Sequence, residues 1–332
     1  MSELRRDPVS GRWVIIAGER AHRPGQHNGG QPPHPLEPCP FCPGNEAMTP
    51  PEVWAMRMPD TLANAPGWRV RVVPNKFPAV DGEGKPQGSN DRLHETRPGW
   101  GVHEVIIESP DHLVNIADFG DDRFAEIVTA YRTRLRAHRS DRRWRYLLIY
   151  KNQGDQAGAT LEHVHSQLLA LPEVPRAATE ELTQAKEHFA ATGHCIYCAI
   201  VEREIHQRQR LVFNHDNFVA LCPFAPRFAY ETWVLPKSHG AIFEQISERE
   251  MTCFARALRE AIARLNGALG NPPFNYFIHS LPTHEAVNDH YHWHLEILPQ
   301  LSRAAGFEWG SGSHINSVAP EDAAQLLRDV AL

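Results

Sequence analysis

The two halves of the 332-residue chain carry the same features in the same order. Residues 106–112 and 233–239 each run from an apolar stretch through a proline to a histidine, and His112 and His239 lie 127 residues apart. H-x-H motifs that begin at His163 and His290 repeat at the same interval. Because several unrelated features share one interval, the pattern predicts a tandem duplication, which also suits a chain too long for one ordinary core.

Helical periodicity predicts matching elements in the two halves. Apolar residues from Phe124 to Leu135 recur at helical spacing, and adding 127 gives a second apolar face from Met251 to Ile262, preceded by a capping box of Ser247 and Glu250. Further helices are predicted at 180–191, ended by Gly193, and from Pro320 onward. Strands alternate with these helices, so an α+β fold is expected with domains at 1–175 and 176–332. No long linker separates the halves, and we expect them to pack together or to share one sheet.

Four of the six cysteines form two C-x-x-C pairs, Cys39 with Cys42 and Cys195 with Cys198. In a chain whose first residues show no export signal, such a pair indicates a metal half-site or a redox couple. The stretch before Cys39 is rich in proline, glycine and histidine, unlike the strand that precedes a thioredoxin-type pair. Metal binding is therefore favoured, with redox chemistry and incidental cysteines as the alternatives.

Each pair of thiolates needs two further ligands to complete a tetrahedral zinc site, and histidine is the usual ligand. The repeat supplies two histidines in each half. The predicted sets are Cys39, Cys42, His112 and His163 in the first half, and Cys195, Cys198, His239 and His290 in the second. Four protein ligands leave no open position, so both zincs are expected to be structural. The alternative is that His112 and His239 are ordinary strand-end histidines.

One difference between the halves predicts a single active site in the first. At an interval of 127 residues, Gln167 corresponds to His294, and glycines occur only in the first of the two loops before the H-x-H motifs. That loop, 152–160, could bring backbone N–H groups close to a phosphate. His165 is then a candidate nucleophile, because imidazole is largely unprotonated at neutral pH, and Gln167 a candidate donor to phosphoryl oxygens. A buried, hydrogen-bonded strand histidine is the alternative for His165.

These motifs resemble a known family. His163-x-His165-x-Gln167, Cys39-x-x-Cys42, Ser109-Pro-Asp-His112 and the opening from Arg5 to Pro24 are similar to galactose-1-phosphate uridylyltransferases, the transferase branch of the histidine-triad superfamily. The resemblance implies two tandem histidine-triad-like domains, each an antiparallel sheet with flanking helices. It also implies a homodimer and ping-pong chemistry, in which a histidine attacks the α-phosphorus of UDP-glucose and passes the nucleotidyl group to a second sugar 1-phosphate.

The resemblance assigns roles to particular residues. His165 corresponds to the nucleophile and Gln167 to the residue that bonds the transferred phosphoryl group. The nucleotide and its phosphates are expected to contact Arg20, Arg23, Asn75, Asn152, Gly158 and Thr160, with the two arginines suited to bidentate phosphate binding. Sugar hydroxyls are expected to contact Phe307 and Glu308. The motif His163-Val164-His165 departs from the usual His-Pro-His, and 306–312 is more similar to the subgroup that includes plant ADP-glucose phosphorylases.

Composition limits the partners. With 34 Lys+Arg against 40 Asp+Glu, the formal net charge is −6, and no basic field exists to hold nucleic acid. No apolar run is long enough to cross a membrane, and the protein is expected in the cytoplasm. The favoured activity is uridylyl transfer between UDP-glucose and a hexose 1-phosphate. Adenylyl transfer to phosphate, with ADP-glucose or a dinucleotide cleaved, and a zinc-stabilised binding protein without catalysis are the alternatives.

Overall fold

The fold is organised around one large antiparallel sheet to which both halves contribute. The computed structural model describes residues 2–17, 38–82, 89, 91 and 93–332. Thirteen strands lie in this part of the chain: β1 Glu3–Arg6, β2 Trp13–Ile16, β3 Trp54–Arg57, β4 Trp68–Pro74, β5 Thr96–Pro98, β6 Val102–Ile107, β7 Tyr146–Gln153, β8 His165–Leu171, β9 Leu211–Asn214, β10 Phe218–Leu221, β11 Thr232–Pro236, β12 Phe274–His279 and β13 His294–Pro299.

Ten of these strands form a single sheet in the order β3-β4-β6-β8-β7-β12-β13-β11-β10-β9, and β2-β1-β5 form a small separate one. The first five strands of the large sheet come from the first half and the last five from the second. The halves meet where β7 pairs antiparallel with β12, with Tyr150 opposite Phe277. The predicted α+β duplication is therefore confirmed, and the halves share one sheet. The domain boundary after residue 175 stays a prediction.

Six α-helices accompany the sheet: α1 Asp121–Arg139, α2 Arg176–Thr192, α3 Ile196–Gln207, α4 Glu248–Leu269, α5 Gly306–Ser311 and α6 Pro320–Arg328. Four of them, α1, α2, α4 and α6, were predicted from the sequence. The capping box is present, since Ser247 accepts from the Glu250 backbone N–H while the Glu250 carboxylate accepts from that of Ser247. Helix α2 ends at Gly193, where φ is +73°. Helix α3, which begins just after Cys195, was not predicted.

Helices α1 and α4 pack side by side on one face of the large sheet and enclose its main core. Their apolar faces bury Phe124 and Phe254 against alternate strand residues such as Leu168. Because successive side chains of a strand point to opposite faces, His165 and Gln167 lie on the side of β8 away from these helices. Within the described part of the chain, no helix is both long enough and apolar enough to cross a membrane.

Candidate active site and metal centres

The first candidate metal centre brings together Cys39, Cys42, His112 and His163. The Nδ1 atom of His112 lies 3.2 Å from Cys42 Sγ, and His163 Nδ1 lies 3.6 and 3.7 Å from Cys39 Sγ and Cys42 Sγ. Zinc–sulfur and zinc–nitrogen bonds of about 2.3 and 2.0 Å at a tetrahedral angle place S and N roughly 3.5 Å apart. The four ligand atoms therefore have the spacing that a tetrahedral metal site requires.

The surroundings of His163 fit the role of a metal ligand. Its Nε2–H donates to the carbonyl oxygen of Ser109 at 2.8 Å, which leaves the lone pair of Nδ1 directed at the thiols. The side chain is fully buried, and burial lowers its pKa to about 4. A neutral imidazole with a fixed tautomer is the form that binds a metal ion.

The second centre differs from the prediction in one ligand. Cys195, Cys198 and His239 are joined by His292 and not by His290. Cys198 Sγ lies 3.4 Å from both His239 Nδ1 and His292 Nδ1. His290 is half-buried nearby, with its ring 6.3 Å from that of Phe189. The prediction of His290 as a ligand is corrected to His292.

Strand register explains this correction. Tyr150 pairs with Gln167 in the first half, and Phe277 pairs with Glu296 in the second, so the second half has two more residues between the paired positions. The interval of 127 residues that relates the helices therefore becomes 129 at the H-x-H motifs. His292 corresponds to His163 and His294 to His165. The counterpart of Gln167 is Glu296, which corrects the sequence alignment of Gln167 with His294.

His165 stands at the start of β8 with its ring held by the backbone. Its Nδ1 lies 2.8 Å from the carbonyl oxygen of His163. Since a carbonyl can only accept, the proton is on Nδ1, and Nε2 carries the lone pair that a nucleophile needs. The ring is 5% exposed and packs edge-on against Phe41 at 5.3 Å between centroids. This geometry provides an oriented imidazole at the border of a cavity.

Two cavities meet at His165, and Leu161 also borders both. One, of about 330 Å³, is lined mostly by apolar side chains together with Asn75, Thr160 and Gln167. The other, of about 140 Å³, lies beside the 152–160 loop and includes Asn152. An apolar pocket with a few polar groups at one end is suited to a base and its attached phosphates.

Comparison with known proteins places the chain in a family. The family described as galactose-1-phosphate uridyl transferase, N-terminal domain, matches residues 1–175, which is more than half of the chain. The chain belongs to this family. A domain of unknown function, DUF4921, also matches residues 101–330.

Relatives match this member of the galactose-1-phosphate uridyl transferase family over almost all of its length. An ADP-glucose phosphorylase of Arabidopsis thaliana is 35% identical over 99% of this chain and 93% of its own. A galactose-1-phosphate uridylyltransferase of Thermotoga maritima is 27% identical over 99% of this chain and 98% of its own. The crystal structure of an Arabidopsis thaliana ADP-glucose phosphorylase with bound ADP-glucose is 34% identical, with a TM-score of 0.79 over the whole of both chains. The predicted family and enzyme class are confirmed: the chain is an enzyme of the nucleotidyltransferase type.

Three of the residues predicted to bind the nucleotide and its phosphates are divided between the two cavities. Asn75 and Thr160 line the larger cavity, and Asn152 lines the smaller one. Gly158, at φ +86°, is close enough to Asn152 that a Cβ there would lie 3.8 Å from the Asn152 amide nitrogen. Arg20 and Arg23 lie outside the described residues.

The two predicted sugar-binding residues, Phe307 and Glu308, are on the short helix α5. The Glu308 carboxylate accepts from the backbone N–H of Ala305 at its start, and Phe307 is 52% exposed. Neither residue lines the two cavities beside His165. Their role stays a prediction.

The structure adds site residues that sequence reasoning missed. His103 and Tyr150 both contact the side chain of Gln167 from the strands on either side of β8. Lys151, on the opposite face of β7, donates to the backbone carbonyl of His165. A histidine or lysine in an otherwise apolar strand was the available signal, but the order of the strands in the sheet was needed to interpret it.

In the second half, the counterparts of His165 and Gln167 are His294 and Glu296, which form a cluster with Glu181 and His279. His294 is fully buried and stacks on His279 with ring centroids 4.7 Å apart. Burial opposes ionisation of Glu296, but His294, His279 and Arg227 lower its pKa to about 2. This cluster lines neither of the cavities beside His165.

Proposed function

We propose that the protein transfers a nucleotidyl group from a nucleoside diphosphate hexose to a phosphate-bearing acceptor through a covalent intermediate on His165. The observation that supports this most directly is the contact between His165 Nδ1 and the His163 carbonyl, on the border of a cavity that also contains Gln167. It fixes the tautomer whose Nε2 can attack phosphorus.

In the first step, Nε2 of His165 bonds to the α-phosphorus, and the bond from that phosphorus to the bridging oxygen breaks. Hexose 1-phosphate leaves with the electron pair. The ring becomes cationic, and its Nδ1–H bond to the His163 carbonyl strengthens as charge develops. In the second step, an oxygen of the acceptor attacks the same phosphorus and releases neutral His165. The Gln167 amide would donate to the phosphoryl oxygens in both steps.

Zinc at both Cys2His2 centres is the second part of the proposal. Bound there, it would supply a structural cross-link and no reactive position, because protein atoms fill all four places. Cys39 and Cys42 would then be tied to His163, two residues from the nucleophile. A homodimer, as the family resemblance implies, and a location in the cytoplasm complete the proposal.

Two nucleotide sugars are candidates for the donor of the nucleotidyl group. The family's name supports UDP-glucose with a hexose 1-phosphate as acceptor. The 35% identity to an ADP-glucose phosphorylase, against 27% for the uridylyltransferase, favours ADP-glucose with inorganic phosphate as acceptor. Both use the same step at His165, so the choice concerns the base and the acceptor.

Intact-protein mass spectrometry after mixing with UDP-glucose or ADP-glucose tests the proposal. A uridylyl or adenylyl mass on the peptide that contains His165 is expected, and its loss on adding galactose 1-phosphate or phosphate identifies the acceptor. The His165→Ala variant serves as the control for adduct position. A folded wild-type protein that forms no adduct with either nucleotide sugar would refute transfer through a covalent intermediate on His165.

A further inference from the structure

We propose that His103 and Tyr150 are positioning residues that hold the amide of Gln167 in one orientation, with its NH₂ group toward the cavity. The inference rests on the proposed nucleotidyl transfer, in which that NH₂ group meets the phosphoryl oxygens. An amide can be placed either way round, and only one orientation offers a donor.

Both contacts converge on the same atom of Gln167. His103 Nε2 lies 2.8 Å from Gln167 Oε1, and the Tyr150 hydroxyl lies 2.9 Å from it. His103 comes from β6 and Tyr150 from β7, the two strands that flank β8. His103 and Gln167 are each at most 4% exposed, so water competes little for these bonds.

The backbone fixes which atom donates. The Ala79 backbone N–H donates to His103 Nδ1 at 2.9 Å, so Nδ1 is an acceptor and the ring proton is on Nε2. The Asn75 amide nitrogen lies 3.1 Å from Nε2, but an NH₂ group cannot accept that proton. The amide of Asn75 is itself oriented, because its oxygen accepts from the Phe77 backbone N–H. The Tyr150 hydroxyl oxygen also lies 3.3 Å from Nε2, but Gln167 Oε1 is closer at 2.8 Å, and that hydroxyl itself donates to the same Oε1. The His103 proton is therefore directed at Gln167, and the Gln167 atom at that position is the oxygen.

With its oxygen occupied by two donors, Gln167 directs its NH₂ group away from His103. The larger cavity, which also borders His165, lies on that side of the sheet. A donor that is oriented before the substrate binds needs no reorganisation as charge develops on the phosphoryl group. Each neutral hydrogen bond to the amide oxygen should favour this orientation by roughly 3–10-fold.

The second half shows that the sheet does not need this arrangement in order to fold. By strand register, its counterparts of Tyr150 and Gln167 are Phe277 and Glu296. Glu231, the residue before β11, takes the position of His103 when the β11–β13 register is extended by one residue. There, Arg227 pairs with both carboxylates. In the first half, where His165 borders a cavity, two hydrogen-bond donors contact the Gln167 amide. In the second half, where His294 lines neither of the cavities beside His165, the corresponding positions form an ion pair with Arg227.

The test uses single-turnover rates of adduct formation on His165. Tyr150→Phe removes one hydrogen-bond donor to Gln167 and should slow adduct formation roughly 3–10-fold at saturating nucleotide sugar. The affinity for the nucleotide sugar should change little. Tyr146→Phe, four residues earlier on β7, is the matched control and should keep the parent rate. In a Gln167→Ala background, Tyr150→Phe should cause no further loss. An equal loss in both backgrounds, or none in either, would overturn the proposal.

Two substitutions of His103 separate positioning from structure. Gln can place a donor where Nε2 was but loses the acceptor for Ala79, whereas Asn keeps that acceptor and loses the donor. His103→Gln should therefore retain a rate closer to that of the parent than His103→Asn. The reverse order would assign His103 a structural role only.

An activity-independent measurement covers the case in which no adduct forms. Long-range ¹H–¹⁵N NMR spectra report the tautomer of each histidine ring when the rings are labelled with ¹⁵N. The signals of His103 are assigned as those that are lost in His103→Asn. The Nε2–H tautomer is expected. An Nδ1–H tautomer or an imidazolium would refute the positioning role, whereas absence of an adduct alone would refute the proposed function.

Discussion

The ammonium group of Lys151 donates to the backbone carbonyl of His165 at 3.0 Å, inside the protein core. Lys151 also pairs with Glu108 at 2.6 Å, and both side chains are at most 1% exposed. The Glu108 carboxylate accepts in turn from Tyr131 of helix α1 and from Ser166, the neighbour of His165. The backbone of His165, the proposed nucleophile, is thus contacted by a buried ion pair that also contacts helix α1.

The first prediction concerns this pair. Lys151→Met should reduce the free energy of unfolding by about 3–5 kcal/mol, because Glu108 is left buried without its counter-charge. Adding Glu108→Gln should restore part of the loss, since the remaining side chain is neutral. Urea unfolding measures both. Arg176→Met breaks an exposed ion pair with Glu180 and should change stability by about 1 kcal/mol or less. Similar losses for Lys151→Met and Arg176→Met would contradict the prediction.

The second prediction distinguishes His292 from His290. Metal analysis of the purified protein should find close to two zinc ions per chain. His292→Ala should lose one of them, and His290→Ala, two residues away, should keep both. Loss of zinc from His290→Ala alone would restore the ligand that the sequence predicted.

Metal removal should also lower stability. Zinc that binds only the folded state increases the free energy of unfolding, so a chelator should decrease the melting temperature. Cys39→Ser should have a similar effect through the first centre. Less than one zinc per chain, together with a Cys39→Ser variant as stable as the parent, would remove that centre.

The third prediction separates two histidines on one strand. His165→Ala should abolish adduct formation and leave the melting temperature nearly unchanged, because the ring contributes the nucleophile. His163→Ala should lower the melting temperature, because that ring is a proposed zinc ligand. Thermal melts and adduct mass spectrometry measure the two effects.

Chemical rescue extends this test. His165→Gly leaves a space that matches the missing ring and should accept a nucleotidyl imidazole, so transfer to the acceptor should recover. His294 provides the comparison, since it occupies the corresponding position in the second half. An adduct mapped to His294 would place the active site in the second half. Full activity in His165→Ala would likewise contradict an active site in the first half.

The fourth prediction concerns the loop beside His165. At Gly154, φ is +83° and a Cβ would lie 2.8 Å from the Cβ of Pro273, whereas at Gly158 the nearest atom would be 3.8 Å away. Gly154→Ala should therefore lower stability by about 1–3 kcal/mol, and Gly158→Ala by less. The affinity for the nucleotide sugar should fall in Gly154→Ala, because the 152–160 loop borders the smaller cavity. Equal stability of the two variants in urea unfolding would contradict this.

The sequence by itself determined the elements that depend on local pattern. Helix α4 follows from its apolar spacing and its Ser247–Glu250 cap. The first candidate metal set follows from a C-x-x-C pair and from two histidines that the repeat singles out. His165 and Gln167 were predicted from a difference between the halves and from the family resemblance. Because they are two residues apart on one strand, they share a face without help from the rest of the fold.

Only the tertiary structure decided the features that depend on how strands pair. Two extra residues in a loop shift the second H-x-H motif, so His292 and not His290 reaches the thiols, and a repeat interval measured on helices cannot reveal that shift. His103 and Tyr150 lie 64 and 17 residues from Gln167 in the chain. They meet it because β6 and β7 flank β8 in the sheet, and strand order is set by burial and backbone pairing across the whole fold.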